Sequence, residues 1–344
     1  MDASPPRARP GALNLITDVP GLKVGQAEDA AVRTGVSVIL PDERSVCACD
    51  VRGGAPGTRE TDALQPENLV EAVDAVVLAG GSVYGLAAAD GVVAWLGARG
   101  RGYGMAPDAA VPPSPVIPAA ILFDMANGGD KAWGEEPPYR VLGRAAVASA
   151  SETFALGTTG AGYGAMAGTL KGGTGSASIV SGDGISVGAI VAVNSWGSVV
   201  APGGRTFWAA PFEVGEEFGG LGPAGLTAAA DDWGLSKGPA EGRNTTIACV
   251  ATDVALTPAQ AKRVAVMAQD GLARAIRPIH APFDGDVVFA ISTARKPMPE
   301  AADYTVARIG ALAADCLARA VARAVYEAKA WPGAEVACWG DRAK

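Results

Sequence analysis

The sequence holds a single histidine, His280. Any Ser-His-Asp or Cys-His relay would have to run through that one residue, and a metal centre built from several imidazoles is excluded. If the chain is an enzyme, its general base is expected to be something other than imidazole. Charge is also sparse: Asp, Glu, Lys and Arg make up 19% of the residues, with a formal net charge of −8. A surface of that sign repels nucleic-acid phosphates and anionic lipid, which argues against both as partners. The longest apolar runs, around residues 75–79 and 185–193, are about half the ~20 residues a membrane-spanning helix needs. The opening MDASPPRARPGALN puts proline and arginine where a signal peptide carries its apolar region, so a cytoplasmic protein is expected. Five cysteines, Cys47, Cys49, Cys249, Cys316 and Cys338, are scattered. The C-x-C of Cys47 and Cys49 has no second pair or histidine nearby, so reduced core thiols are expected and zinc is not.

Glycine (46) and proline (24) are plentiful, as where many short strands are joined by turns. LKVGQ, GVSVILP and SVCACDV, within residues 22–51, read as antiparallel strands. A short helix is expected from Pro66 to Ala75, then the apolar strand Ala75–Ala79. Gly80–Gly85 leads into an alanine-rich helix running to about Ala98 and ending on Gly100. Residues 104–140 read as loop with one short strand, Ala119–Phe123. The glycine-dense run from Gly157 to Gly175 must approach something closely or turn sharply. Ile185–Val193 reads as a buried strand, followed by a turn at Asn194–Gly197 and a partner strand at Ser198–Ala201. Residues 211–243 are irregular, acidic and glycine-rich, the look of an exposed tether. After it comes a strand, Thr246–Thr252, and then a helix that starts on Thr257-Pro258-Ala259-Gln260, with a threonine cap and glutamine in the capping-box position. That helix should reach about Ile276. A second strand, Asp286–Thr293, leads to a long helix over 301–329 with its apolar stripe at Val306, Ile309, Leu312, Cys316, Ala320 and Val325. Sheets covered by helices are implied.

Several patterns that look chemical lack their context. Gly162-Tyr163-Gly164-Ala165-Met166-Ala167 fits G-x-G-x-x-A, but no clear strand precedes it, as a dinucleotide fingerprint requires. Lys171 follows glycines without the Gly-Lys-Ser/Thr of a phosphate-binding loop. Ser82 in GGSVYG has the wrong glycine spacing for a nucleophile elbow. No cofactor is expected, neither metal nor organic.

Asn244-Thr245-Thr246 falls where the irregular stretch meets a buried strand. Three readings compete. As a glycosylation acceptor it needs a secretory signal. As a plain turn, its side chains would satisfy local backbone groups. As an autocleavage junction, it would expose Thr245 as a new N-terminus. The third reading suits a chain short of histidine. A threonine hydroxyl needs a base, and an α-amine has a pKa of about 7.7–8.0 against about 10.4 for lysine. A freed Thr245 amine can therefore serve its own hydroxyl.

The run NTTIACVATDVALTPAQAKRVAVMAQDGLARAIRPIHAPFDGDVVFAIST resembles the DmpA-type peptidases. So do DVRGGAPGTRETD (50–62), LAGGSVYGLAAADGV (78–92), PAAILFD (118–124) and VGAIVAVNSWGSVV (187–200). That family comprises D-aminopeptidases, β-peptidyl aminopeptidases and 6-aminohexanoate-oligomer (nylon) hydrolases, and the likeness spans nearly the whole chain. It implies one domain with a four-layer αββα sandwich, like that of N-terminal-nucleophile hydrolases. It implies self-cleavage into 1–244 and 245–344, two fragments that stay associated, and a homotetramer of such αβ units. Thr245 would be nucleophile and base, and Asp284 and Asp286 would orient it and share a proton. Asn194 would donate to the oxyanion and Lys171 would steady developing charge, while His280 would be structural. Substrates would be small peptides or amides, nylon oligomers among them.

Two positions depart from the family pattern. Where aminopeptidase members carry an acidic residue and a tyrosine, this chain has Ile121 and Phe123, which puts strict aminopeptidase activity in doubt. Two rival readings remain: an acyltransferase of the ornithine acetyltransferase type, whose junction is usually A-T-M-like, and a non-catalytic, uncleaved relative.

Overall fold

The computed structural model describes residues 7–104, 110–224, 226–238 and 244–342. The last five residues of the expected tether, 239–243, lie outside the described residues, as do residues 105–109 of the expected loop and the first six of the chain.

The elements follow in chain order. Strands β1 (Leu22–Asp29), β2 (Thr34–Pro41), β3 (Ser45–Val51), β4 (Thr58–Arg59), β5 (Ala72–Val73) and β6 (Val76–Ala79) precede helix α1 (Ala88–Gly97). Strand β7 (Ala119–Ile121), helix α2 (Tyr139–Ala148) and strands β8 (Met166–Ala167), β9 (Leu170–Lys171), β10 (Gly173–Val180) and β11 (Ser186–Asn194) come next. After the irregular stretch follow β12 (Thr245–Val254), α3 (Pro258–Ala275), β13 (Val287–Lys296), α4 (Ala302–Tyr326) and α5 (Trp339–Arg342). One sheet has the order β1-β2-β6-β7-β4 and the other β10-β11-β12-β13-β3-β5.

Side-chain alternation builds four layers from these two sheets. On β6, Val76 and Leu78 face the second sheet, where they meet Ile190, Ile247 and Phe289. Val77 and Ala79 face the other way, onto Val92 of α1 and Leu142 of α2. The second sheet repeats the device: Val191, Val250 and Val288 turn outward onto Val264 of α3 and Leu317 of α4. The result is the expected αββα sandwich. All five cysteines are free and buried in it. Among the described residues no helix is long and apolar enough to cross a membrane.

Most expected elements stand where the patterning puts them. Thr257 caps α3 through its hydroxyl, which accepts from the Gln260 N–H at 3.3 Å, while the Gln260 side chain accepts from the Thr257 N–H at 2.9 Å. Two expectations need correction, and one helix stands where none is expected. Residues 66–75 are not a helix: Ala72–Val73 pair with Ser45 and Val46 of β3, and Asp74 is buried between Arg44 and Arg101, 3.5 Å from each. Ser198–Ala201 is not a strand and makes only single bridges, to Arg277 and Phe207. Strand β11 already has β10 on one side and β12 on the other, which leaves no edge to pair with. Helix α2 was not anticipated; its buried positions Tyr139, Leu142, Gly143, Ala146 and Val147 do follow a helical period.

The glycine-dense run proves to be a matter of close approach. A Cβ on Gly175 would lie 1.9 Å from the Ala320 carbonyl of α4, and one on Gly162 would lie 2.1 Å from the backbone of Gly173. Glycine at these points lets α4 settle on β10 and folds the segment 157–172 against the start of the same strand.

Candidate active site

Sheet register gathers the site. Strands β11 and β12 run antiparallel with Asn194 opposite Thr245. Strand β13 runs parallel to β12, so the residues leading into both lie at the same end, and Asn244 bridges Asp284. The last residue of one strand, the first of its neighbour and the approach to a third therefore converge, although they lie far apart in sequence.

Thr245 is buried, with only 4% of its surface exposed. Its hydroxyl donates to the carbonyl oxygen of Asn244 at 2.5 Å. The Gly285 N–H donates to that same oxygen at 3.1 Å. The carbonyl of the bond before Thr245 thus receives both a side-chain hydroxyl and a fixed backbone donor. The next residue is held as well, because the Thr246 N–H donates to Asp286 Oδ1 at 2.7 Å.

The other oxygen of Asp286 binds His280 twice, accepting its backbone N–H at 3.1 Å and meeting ring Nδ1 at 2.9 Å. His280 adopts a left-handed backbone, with φ of 60°, a conformation uncommon outside glycine. Its contacts make it an anchor for Asp286. Asp284 is wholly buried, and its Oδ2 accepts the Ala281 N–H at 2.8 Å. Its Oδ1 has no hydrogen-bond partner among the described residues. Burial first, and the nearby Asp286 carboxylate second, push the Asp284 carboxyl up to about 7.

Asn194 is held at both ends of its amide. Its Oδ1 accepts the Met166 N–H at 2.9 Å and its amide nitrogen donates to the Phe123 carbonyl, also at 2.9 Å. That nitrogen carries a second hydrogen. Lys171 lies deeper. Its fully buried ammonium donates to the carbonyls of Gly172 at 2.6 Å, Ala165 at 3.0 Å and Gly162 at 3.4 Å, with Trp331 4.8 Å away. Burial pulls its pKa down to about 7. The structure therefore brings together Asn194, Asn244, Thr245, Asp284 and Asp286, while these Lys171 bonds run to the glycine loop instead.

A cavity of about 510 Å3 opens beside Asn194, lined by Phe123, Asp124, Asn127, Met166 and Lys237 among others. Asp124 is buried there, accepting the Thr34 hydroxyl and the Gly81 N–H, each at 2.7 Å. Burial pushes it up to about 6 against the pull of those two bonds. Lys237 donates to the Asn244 side-chain oxygen at 2.6 Å and to the Asn194 carbonyl at 3.4 Å. A larger groove of about 830 Å3 lies between α1 and α2, but it is lined by apolar and arginine side chains with no nucleophile or carboxylate. Among the described residues no group of three or more His, Cys, Asp or Glu could hold a metal ion.

Sequence reasoning missed Lys237, Asp124 and Gly285. Lys237 is the one lysine between residues 211 and 243, a weak signal in a stretch with no periodicity. Gly285 stands inside the D-G-D motif, but its role as a backbone donor depends on register alone.

The family model for peptidase family S58 matches residues 14–337. The chain belongs to peptidase family S58. An uncharacterized aminopeptidase of Mycobacterium tuberculosis is 45% identical over 92% of this chain and 95% of its own length. The 6-aminohexanoate-oligomer endohydrolase of Agromyces sp. (strain KY5R) is 27% identical over 87% of this chain and 80% of its own. Among solved structures, the L-aminopeptidase D-Ala-esterase/amidase of Ochrobactrum anthropi superposes with a TM-score of 0.69. It is 23% identical and covers 93% of this chain and 88% of its own. That enzyme is described as a variant of the Ntn-hydrolase fold, and at this identity the likeness speaks to the fold alone. For this S58 member the comparisons bear out the resemblance read from the sequence, and they support a hydrolase of the peptidase class.

Proposed function

We propose that this S58 member cuts its own chain between Asn244 and Thr245 and then uses Thr245 as the N-terminal nucleophile of an amide hydrolase. The observation that carries the reading is the Thr245 hydroxyl 2.5 Å from the carbonyl oxygen of the bond to be cut, with the Gly285 N–H on that same oxygen. In the first step Oγ attacks the Asn244 carbonyl carbon and its proton passes to the Thr245 nitrogen. The C–N bond breaks and an ester links Asn244 to Thr245 Oγ. Charge developing on the carbonyl oxygen meets the Gly285 N–H, a donor already in place. Water then hydrolyses the ester, leaving a carboxylate on Asn244 and a free amine on Thr245.

In the matured enzyme the new amine takes the hydroxyl proton as Oγ attacks a substrate amide. Asp286 fixes the start of β12 through the Thr246 N–H. Asp284, with an unsatisfied oxygen among the described residues, becomes a partner for the new ammonium. The second amide hydrogen of Asn194 is the candidate oxyanion donor. Lys171 stiffens the glycine loop beside Asn194 through its bonds to the Gly162, Ala165 and Gly172 carbonyls. Substrates are small peptides and amides, including 6-aminohexanoate oligomers, in keeping with the names borne by the relatives. Ile121 and Phe123 supply neither a carboxylate nor a hydroxyl, so the reading extends to internal amides and not to free amino termini alone.

Intact mass spectrometry of the wild type beside Thr245→Ala tests this. Two wild-type fragments, the smaller beginning at Thr245, with an uncut variant, are the expected result. A single full-length mass for both proteins would overturn it.

A further inference from the structure

In self-cleavage Asn244 supplies the acyl group, and the ester it forms is on the same Thr245 oxygen that a substrate acyl group would occupy. Whatever holds the Asn244 side chain therefore stands where the side chain of a substrate's acyl residue would lie. Among the described residues, Lys237 holds that side chain. Its ammonium donates to the Asn244 side-chain oxygen at 2.6 Å, a charge-assisted bond and so among the stronger kind. It also reaches the Asn194 carbonyl at 3.4 Å, and its charge acts on Asp284. The same lysine lines the 510 Å3 cavity.

The lysine is not a loose surface chain. Its backbone N–H donates to the Trp196 carbonyl at 3.0 Å. Trp196 in turn packs edge-on against Trp233 at 5.4 Å and Phe283 at 5.2 Å. This aromatic cluster ties the segment around Lys237 to the turn after β11 and to the approach to β13.

Resting on the reading above, we propose that Lys237 recognises the acyl-side residue in both reactions. It positions Asn244 for self-cleavage, and afterwards, among α-amino-acyl substrates, it favours those whose acyl residue carries an oxygen acceptor, a carboxamide or carboxylate, at the reach of an asparagine side chain. Leucine offers no acceptor and would leave the ammonium facing an apolar group.

The first test times self-cleavage of the full chain made by cell-free synthesis, quenched at intervals and read on denaturing gels. Lys237→Met should slow cutting at least tenfold and Lys237→Arg should recover most of the rate. Asn244→Leu should slow it by a similar factor, and the double variant should be no slower than either single one, because both remove the same contact. A wild-type rate for Lys237→Met, or losses that simply multiply, would overturn the proposal. The second test uses chain matured by long incubation and compares the p-nitroanilides of asparagine, aspartate and leucine. The wild type should favour the first two, and in Lys237→Met that preference in kcat/KM should fall at least tenfold, through KM. An equal loss on all three would overturn the substrate half. A wild type that never cuts sinks the function proposed above. A wild type that cuts while ignoring Lys237 sinks only this inference.

Discussion

At residue 284 a carboxylate stands where its own charge is unwelcome. Asp284 is buried beside Asp286, and its pKa is raised to about 7, against about 3.9 for an unfolded aspartate. Between those two values the folded chain holds a proton that the unfolded chain has released. The group's contribution to stability is therefore full below about pH 4 and is lost as the pH rises through 7. Asparagine carries no charge at any of these values. In an uncut Thr245→Ala background, Asp284→Asn should raise the melting temperature more at pH 8 than at pH 5. A difference that does not change with pH would mean the carboxyl is not held neutral. The same residue illustrates the limit of motif reading. D-G-D flags two acids near a nucleophile, but nothing in three letters says that one anchors Thr246 and His280 while the other keeps an oxygen without a hydrogen-bond partner among the described residues.

Among the elements, the contact between β10 and α4 depends on absent side chains. Gly175 lies so close to α4 that a Cβ would meet the Ala320 carbonyl at 1.9 Å and the Ala324 nitrogen at 2.7 Å. Both are backbone atoms, which cannot rotate away. Gly175→Ala should cost about 1–3 kcal/mol or more, read as a lower urea midpoint in the same uncut background. A neutral result would mean that α4 slides freely on the sheet. Helix α3 was legible because its start signals are local: threonine, proline and glutamine at fixed offsets produce the cap on their own. Residues 66–75 misled because their fate is decided elsewhere, by the edge of β3 and by the arginines that bury Asp74.

Across the whole molecule, the second sheet interleaves the two halves of the proposed cut. Strands β12 and β13 would belong to the small fragment, yet they are flanked by β11 on one side and β3 on the other, both from the large one. Between the two sheets, Ile247 and Phe289 from the small fragment pack with Val76 and Ile190 from the large one. Cutting one peptide bond removes none of these ladders or contacts. The two fragments should co-elute on size exclusion under native conditions and separate only in denaturant. Separation in native buffer would show that the shared sheet does not hold.

Most strands and helices of the second sheet, the buried character of β11 and β12 and the cap of α3 are written in local pattern, so the sequence alone determined them. Period, capping and composition act within a few residues, and that is their range. The assignment of β3 to the second sheet and the lack of a free edge for residues 198–201 fell outside that range. So did the meeting of Lys237 with Asn244 and of Gly285 with the Asn244 carbonyl. Each is a contact between segments whose separation in sequence carries no code. Only the tertiary structure decided them, because register and close packing set which distant atoms come within hydrogen-bonding distance.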